Sequence, residues 1–253
     1  MVEVEEMISV IVPAYKESPL VEPCIKILTE EMEKIKKEIK ENYEIILSAE
    51  GDDDTPQIMK HLMKKYKNLK FVYSKQKLGK GGGIEHGLTK AKGEKIIFMD
   101  VDLSVHPSYA KEMIKLIDRY DIVVASRYTP LSKVKRSGTR IFLGYCYSMF
   151  IRILLRIGVR DAQCGFKAYK RNVLKDCTRY VKNKNVFWDT ELLFMAKCLK
   201  YKVGEIPVHW EEREGKSNIS TTQGIFGVLP YILELFIRSW FKKNKPTTNQ
   251  TFS

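Results

Sequence analysis

The stretch Ile96-Ile97-Phe98-Met99-Asp100-Val101-Asp102-Leu103-Ser104 decides how the chain is read. Four apolar residues in a row describe a strand buried on both faces, as in a parallel sheet covered by helices. Two aspartates follow at i and i+2. In extended backbone that spacing sends both side chains to one side, so Asp100 and Asp102 can converge on a single cation beyond the strand. Hard carboxylate ligands suit Mg²⁺ or Mn²⁺ better than a thiophilic metal. Such an ion can bridge the phosphates of a nucleotide and stabilise a leaving diphosphate.

Outward from this strand, apolar strands alternate with amphipathic helices. Met7–Val12, closed by Pro13, reads as a strand, and residues 19–41 as a helix with Ile25, Leu28, Met32, Ile35 and Ile39 on one face. Further strands are expected at Tyr43–Leu47, Leu69–Tyr73, Lys95–Met99, Asp121–Ala125 and Val203–Val208. Helices are expected at Thr55–Lys67, Gly83–Ala91, Pro107–Arg119 and Trp188–Lys200. This alternation predicts an α/β, Rossmann-like, mostly parallel sheet flanked by helices. Ligands of such sheets bind beyond the carboxyl ends of the strands, where Tyr15, Glu17 and Glu50 also fall.

Two more helices are expected at 141–157 and 224–241, the second kinked at Pro230. Ser148, Arg152 and Arg156 would form a polar stripe on the first. Glu234, Arg238 and Lys242 would share a face of the second. Neither is a plausible span, because charged residues interrupt both. They could pack on the sheet or lie on a membrane with basic residues at headgroup level. The formal net charge of +13 favours the membrane.

The 253 residues fit one domain over 1–241, with a polar tail at 242–253 expected to be disordered. The five cysteines are odd in number and contain no CxxC pair, which argues for free thiols and against a zinc site. No leader peptide is visible at the acidic N-terminus. A nucleic-acid partner is not expected, because the basic residues are scattered through helices among acids rather than interleaved with aromatics on one face.

Beginning at Val10-Ile11-Val12-Pro13-Ala14-Tyr15-Lys16-Glu17, the chain resembles the family 2 nucleotide-sugar glycosyltransferases of the GT-A fold. The resemblance runs through Leu78-Gly79-Lys80-Gly81-Gly82-Gly83, Asp100-Val101-Asp102 and Ala125-Ser126-Arg127-Tyr128. It is most specific at Asp161-Ala162-Gln163-Cys164-Gly165-Phe166-Lys167, at Trp188-Asp189-Thr190-Glu191-Leu192-Leu193, and at His209–Ser217. These later blocks look most like polyprenyl-phosphate sugar synthases, dolichyl-phosphate glucose synthases first and the mannose synthases close behind. Related enzymes use an N-acetylhexosamine, and other family members act on polysaccharide acceptors.

The resemblance implies an inverting transfer of a hexose, glucose favoured, from UDP-glucose or alternatively GDP-mannose to dolichyl or polyprenyl phosphate. It implies a peripheral enzyme on the cytoplasmic face of the membrane, with a membrane-anchoring subunit as one way of getting there. Pro13, Ala14, Tyr15, Glu17, Glu50, Lys80, Val101, Gln163, Arg213 and Lys216 are implied to bind the donor. Asp100 and Asp102 would hold the metal, and Asp189 and Glu191 would stand on the sugar or acceptor side. Arg127, Arg136 and Arg140 are the candidates for the acceptor phosphate, since arginine forks suit phosphate. A lipid monophosphate has a second pKa of about 6 and is already anionic at neutral pH, so it needs positioning rather than a general base. One departure from the family pattern, Ala49-Glu50 in place of paired acids, leaves uridine and guanosine both open.

Overall fold

The computed structural model describes residues 6–212 and 230–237. Among these, β1 (Met7–Tyr15), β2 (Asn42–Glu50), β3 (Leu69–Ser74), β4 (Lys95–Phe98), β5 (Ile122–Ser126), β7 (Lys167–Lys170) and β8 (Val203–Pro207) form one sheet in the order β3-β2-β1-β4-β7-β5-β8. Every neighbour pair is parallel except those made by β7, which runs antiparallel to both β4 and β5. The expected mostly parallel α/β sheet is therefore present. β6 (Lys133–Lys135) and β9 (His209–Glu211) make a separate two-stranded parallel ribbon.

Helices cover both faces: α1 (Ser18–Ile39), α2 (Thr55–Lys65), α3 (Lys80–Leu88), α4 (Ala110–Leu116), α5 (Gly138–Leu155), α6 (Arg171–Thr178) and α7 (Trp188–Cys198). Alternate residues of β1 divide between two cores, Val10 and Val12 facing α1 and Ile11 facing α3 and α7. This is why the strand carries no polar face to solvent.

Several boundaries differ from the sequence reading. Pro13 does not end β1, which continues to Tyr15. The pairing of β1 with β4 stops at Ile11 opposite Phe98, so the N–H that Pro13 lacks has no strand to meet. The helix expected from Pro107 begins with a 3₁₀ turn, Pro107–Tyr109, and continues only to Leu116. The glycine-rich turn is itself the start of α3, three residues earlier than expected.

The stripe expected on residues 141–157 is split. Ser148 is buried with Ile151 and Leu155, whereas Arg152 and Arg156 are exposed. The outward side of α5 instead carries Phe142, Leu143, Tyr145, Met149, Phe150 and Ile153, with Phe142 66% and Ile153 68% exposed. Of the helix expected at 224–241, the described part is 230–237. Ile232 and Leu235 join the core that also holds Ile151 and Leu155 of α5, Tyr231 stacks on the buried Phe187, and Leu233, Phe236 and Ile237 are exposed. Arg238, Lys242 and the tail 242–253 lie outside the described residues. Among the described residues no helix is long and apolar enough to cross a membrane.

Candidate functional site

Asp100 and Asp102 stand just beyond β4, in the sharp turn that ends it. Leu103 takes a left-handed conformation (φ 51°), uncommon for a branched side chain. The turn is fastened by Asp102, whose carboxylate accepts from the Ser104 N–H at 2.9 Å and from its hydroxyl at 2.8 Å. β9 fastens it from outside, the Glu211 N–H donating to the Ser104 carbonyl at 2.9 Å. Asp100, Asp102, Gly165 and Trp210 line one crevice. Gly165 lies so close to Asp100 that a methyl group there would overlap the carboxylate.

The two carboxylates fit a hard divalent cation. Both belong to the same turn, their oxygens are suitable donors, and a positive group is already drawn to one of them: the Lys80 ammonium is 3.0 Å from Asp100 Oδ1. Desolvation raises the Asp100 carboxyl above its ordinary range; Lys80 opposes this, and Asp102 and Asp189 add to it. Glu17 is close enough to feel Asp100, Asp102 and Asp53, and burial with these charges raises its pKa to about 7. A cation on the aspartates would relieve this crowding of negative charge.

Behind Asp100 lies a row of charges. Lys80 reaches Asp189 Oδ2 at 3.3 Å, and Asp189 Oδ1 holds Lys167 at 2.5 Å. Lys167 is fully buried at the start of β7 and also donates to the Cys164 carbonyl at 2.6 Å. Asp189 is thus linked to Asp100 through Lys80, and its own partners are lysines. Glu191 is not at the cleft: it is buried and accepts from the Lys182 and Asn183 N–H groups at 3.1 and 2.9 Å. That places it as an anchor for the loop before α7, which corrects its expected catalytic position.

Glu50 needs a similar correction. Its carboxylate is buried and accepts from the N–H groups of Leu78 and Gly79 at 2.7 and 3.0 Å. It positions the glycine-rich turn instead of presenting a free acid to a ribose. The glycines of this turn have a packing role. Gly81 and Gly82 donate to the Lys184 carbonyl, and side chains on Gly81 and Gly83 would collide with Trp188 and Glu50. Pro13 and Ala14 precede Tyr15, the last residue of β1, Val101 is buried between the aspartates, and Tyr15 is 40% exposed with the Lys77 ammonium 4.5 Å over its ring. Asp53 ties the starts of α1 and α2 together, accepting from the N–H groups of Ser18 and Thr55, each at 3.1 Å.

The three arginines expected at the acceptor phosphate gather around Trp210 and Glu212. The guanidinium carbons of Arg127 and Arg136 are 5.8 and 5.5 Å from the Trp210 ring. Glu212 Oε1 accepts from Arg136 at 3.1 Å and Arg140 at 3.0 Å. Arg127 differs from the other two. Its fork is taken by the buried Asp161, with Nε and Nη2 donating at 2.7 and 2.9 Å. Burial would raise the Asp161 carboxyl, but Arg127 overrides this and holds it below its ordinary range. Two of the donors of Arg127, a candidate for the acceptor phosphate, are thus already committed, and breaking a buried pair leaves an uncompensated charge. Gln163 donates to the Tyr147 hydroxyl of α5 at 3.1 Å, joining that helix to the segment that runs on to Gly165 in the crevice. The Cys164 thiol is pushed up to about 12 by burial and is unreactive. Arg213 and Lys216 lie outside the described residues.

Gly165, Lys167 and Asp161 escaped the sequence reading although all three sit in the block 161–167. A lysine opening a strand in an apolar block was the available signal, since a buried ammonium requires an acid.

Comparison with known proteins bears on the family and the fold. Residues 9–178 match the model of glycosyl transferase family 2. The chain is 30% identical over 238 residues to glycosyltransferase AglD of Haloferax volcanii, covering 93% of this chain and 37% of that protein. It is 30% identical to a dolichyl-phosphate beta-glucosyltransferase of Dictyostelium discoideum, covering 82% of this chain and 67% of that one. The chain thus spans little more than a third of the first relative. Among solved structures, glucosyl-3-phosphoglycerate synthase of Mycobacterium tuberculosis, in complex with Mn²⁺, UDP and glucosyl-3-phosphoglycerate, superposes with a TM-score of 0.65 at 17% identity. That likeness covers 91% of this chain and 80% of that one. A Pyrobaculum calidifontis mannosyltransferase in complex with GDP-mannose and Mn²⁺ gives 0.59 at 18% identity, over 94% of this chain and 65% of that one. These two likenesses concern the fold.

Proposed function

Because the chain belongs to glycosyl transferase family 2, we propose that it moves a hexose, glucose in the first instance, from a nucleotide-sugar to dolichyl or another polyprenyl phosphate with inversion at the anomeric carbon. The observation that carries this reading is the Asp100-Val101-Asp102 turn at the end of a central strand, in a cleft joined through Gln163 and Tyr147 to a helix with an apolar outward face. The naming of dolichyl-phosphate glucosyltransferases among its relatives supports the acceptor and the sugar.

Pro13, Ala14, Tyr15 and Glu17 would form the nucleotide side of the cleft, with Tyr15 giving the base a flat surface. Mg²⁺ or Mn²⁺ held by Asp100 and Asp102 would neutralise charge on the departing diphosphate. Gln163 would border the sugar, and Arg213 and Lys216 would approach the diphosphate from the following loop. The acceptor phosphate would take the place that the Glu212 carboxylate now fills between Arg136 and Arg140, with Arg127 and Asp161 as the rigid wall behind. Held in line, a phosphate oxygen forms the new bond to the anomeric carbon as the nucleoside diphosphate leaves with the electrons of the old one. The outward faces of α5 and 230–237 would rest on the cytoplasmic side of an anionic membrane, which brings the cleft to an acceptor that cannot leave the bilayer.

The test is incubation of the purified protein with radiolabelled UDP-glucose, GDP-mannose or UDP-N-acetylglucosamine, Mn²⁺ or Mg²⁺, and dolichyl phosphate, followed by organic extraction. Label should enter the lipid phase from UDP-glucose. EDTA, Asp100→Ala and Asp102→Ala should each abolish that transfer while circular dichroism stays unchanged. Full turnover by metal-stripped protein in chelator would remove the metal assignment, and label found only in a water-soluble product would remove the lipid acceptor.

A further inference from the structure

We propose that Lys80 is a built-in counter-cation that competes with the metal for Asp100, so that the metal enters with the donor diphosphate and not ahead of it. The proposal rests on the donor site described above. Asp100, Lys80, Asp189 and Lys167 alternate in sign along one row, with contacts of 3.0, 3.3 and 2.5 Å. The formal charges of the row cancel. Without a donor Asp100 is therefore already paired, and a divalent cation arriving alone must displace an ammonium from that carboxylate.

The four members differ in freedom. Lys167 is fully buried and Asp189 is 2% exposed on its side chain, so neither can turn to solvent. Asp100 is backed by Gly165, where even a methyl group would overlap it. Lys80, the first residue of α3, retains 19% exposure against 44% for Asp100, but unlike Asp100 it carries its charge on a long flexible stem, which makes it the member able to move. Asp189 gives it a second station. When a cation occupies Asp100, repulsion drives the ammonium off that carboxylate, Asp189 keeps it in the cleft, and its freed hydrogen-bond capacity is offered to the incoming phosphates. Lys167 then acts as a positioning residue, because it fixes the Asp189 carboxylate that retains Lys80. Two carboxylates also leave most of a six-coordinate shell to the diphosphate and water, which makes nucleotide-free metal binding weak enough for one ammonium to decide.

The experiment is a Mn²⁺ titration followed by electron paramagnetic resonance, without nucleotide, on the wild type, Lys80→Met and Lys80→Arg. Lys80→Met should bind Mn²⁺ roughly tenfold or more tightly than the wild type, as expected from removing a unit positive charge at ion-pair distance in a partly enclosed site. Lys80→Arg should stay near the wild type. Adding UDP should tighten Mn²⁺ binding more in the wild type than in Lys80→Met. If Lys80→Met does not fold, judged by thermal unfolding, Lys80→Gln removes the charge while its amide can still donate to Asp189, and it should show the same tightening. Unchanged or weaker Mn²⁺ binding in the folded variants, or no binding in any of them, overturns the proposal. Failure of the functional reading would appear instead as a wild type that transfers no sugar from any donor, which leaves the nucleotide-free comparison readable.

Discussion

Gly165 shows how much of the site depends on a side chain that is absent. Its α-carbon lies against the Asp100 carboxylate, so Gly165→Ala should push that group out of place without touching the sheet core. A displacement of about 1 Å can cost about 100-fold in rate. We expect a loss of that size in sugar transfer with near-normal circular dichroism; transfer within twofold of the wild type would show that Asp100 can relax. Glu17 gives a prediction in pH. Its folded pKa of about 7 lies above the ordinary 4.5, so the folded state binds more protons between those values. Its contribution to stability is complete below pH 4.5 and is lost as pH rises through about 7. In metal-free protein, Glu17→Gln should remove that decline from urea unfolding measured across the interval; an unaltered slope would place the titration elsewhere. Asp100 and Asp102 were legible in the sequence because their spacing on a strand fixes their direction. The partners of Glu50 and Arg127 were not legible, because a pattern shows which residue stands near a site but not which group has already taken its hydrogen-bonding capacity.

Period and burial made most elements legible. Strands β1 to β5 and β8 were each expected from apolar runs, and α1 from its three- and four-residue steps. β7 and α6 were not, since Lys-Ala-Tyr-Lys is too short and too charged to read as a central strand. Its first lysine is tolerated there because Asp189 meets it. α5 carries the prediction at this scale. Its outward apolar residues have aromatic neighbours such as Tyr128, packed edge to face with Tyr145 at 5.6 Å, but Phe150 and Ile153 point away from the core. Phe150→Glu with Ile153→Glu should reduce sedimentation with anionic vesicles several-fold, because apolar area buried in the headgroup layer sets such binding. The urea midpoint should hardly move, as exposed substitutions change stability by about 0.5 kcal/mol or less. A large fall in the midpoint with vesicle binding intact would show that the face is covered by protein.

For the whole molecule, the formal charge of +13 was legible by counting, but where it acts is a matter of geometry. Several basic residues are held by acids within the fold, including Arg127, Lys167 and Lys95, and these add little to a distant surface. Arg152 and Arg156 are exposed on the same layer as the apolar face of α5. Each basic residue near an anionic membrane contributes about 1 kcal/mol, and salt screens it. Vesicle sedimentation should therefore weaken steadily between low and high salt; binding that ignores salt would make apolar insertion the sole anchor.

The position of β7 sets the order in which the protein can be made. β4 and β5 follow one another in the chain yet are held apart by β7, which is synthesised only after both. Until Lys167–Lys170 leaves the ribosome, two strands wait with unpaired edges facing an empty slot. At about 5–20 residues per second, that interval lasts a few seconds. During it, each exposed edge is a template for the wrong strand, including one from a neighbouring nascent chain. In such an intermediate Lys167 has not arrived to fix Asp189, Asp189 has not arrived to meet Lys80, and β9 has not arrived to fasten the Asp100 turn. Binding competence is thus acquired late, and a ribosome-bound chain stalled before that point should expose its sheet to proteases and hold no donor.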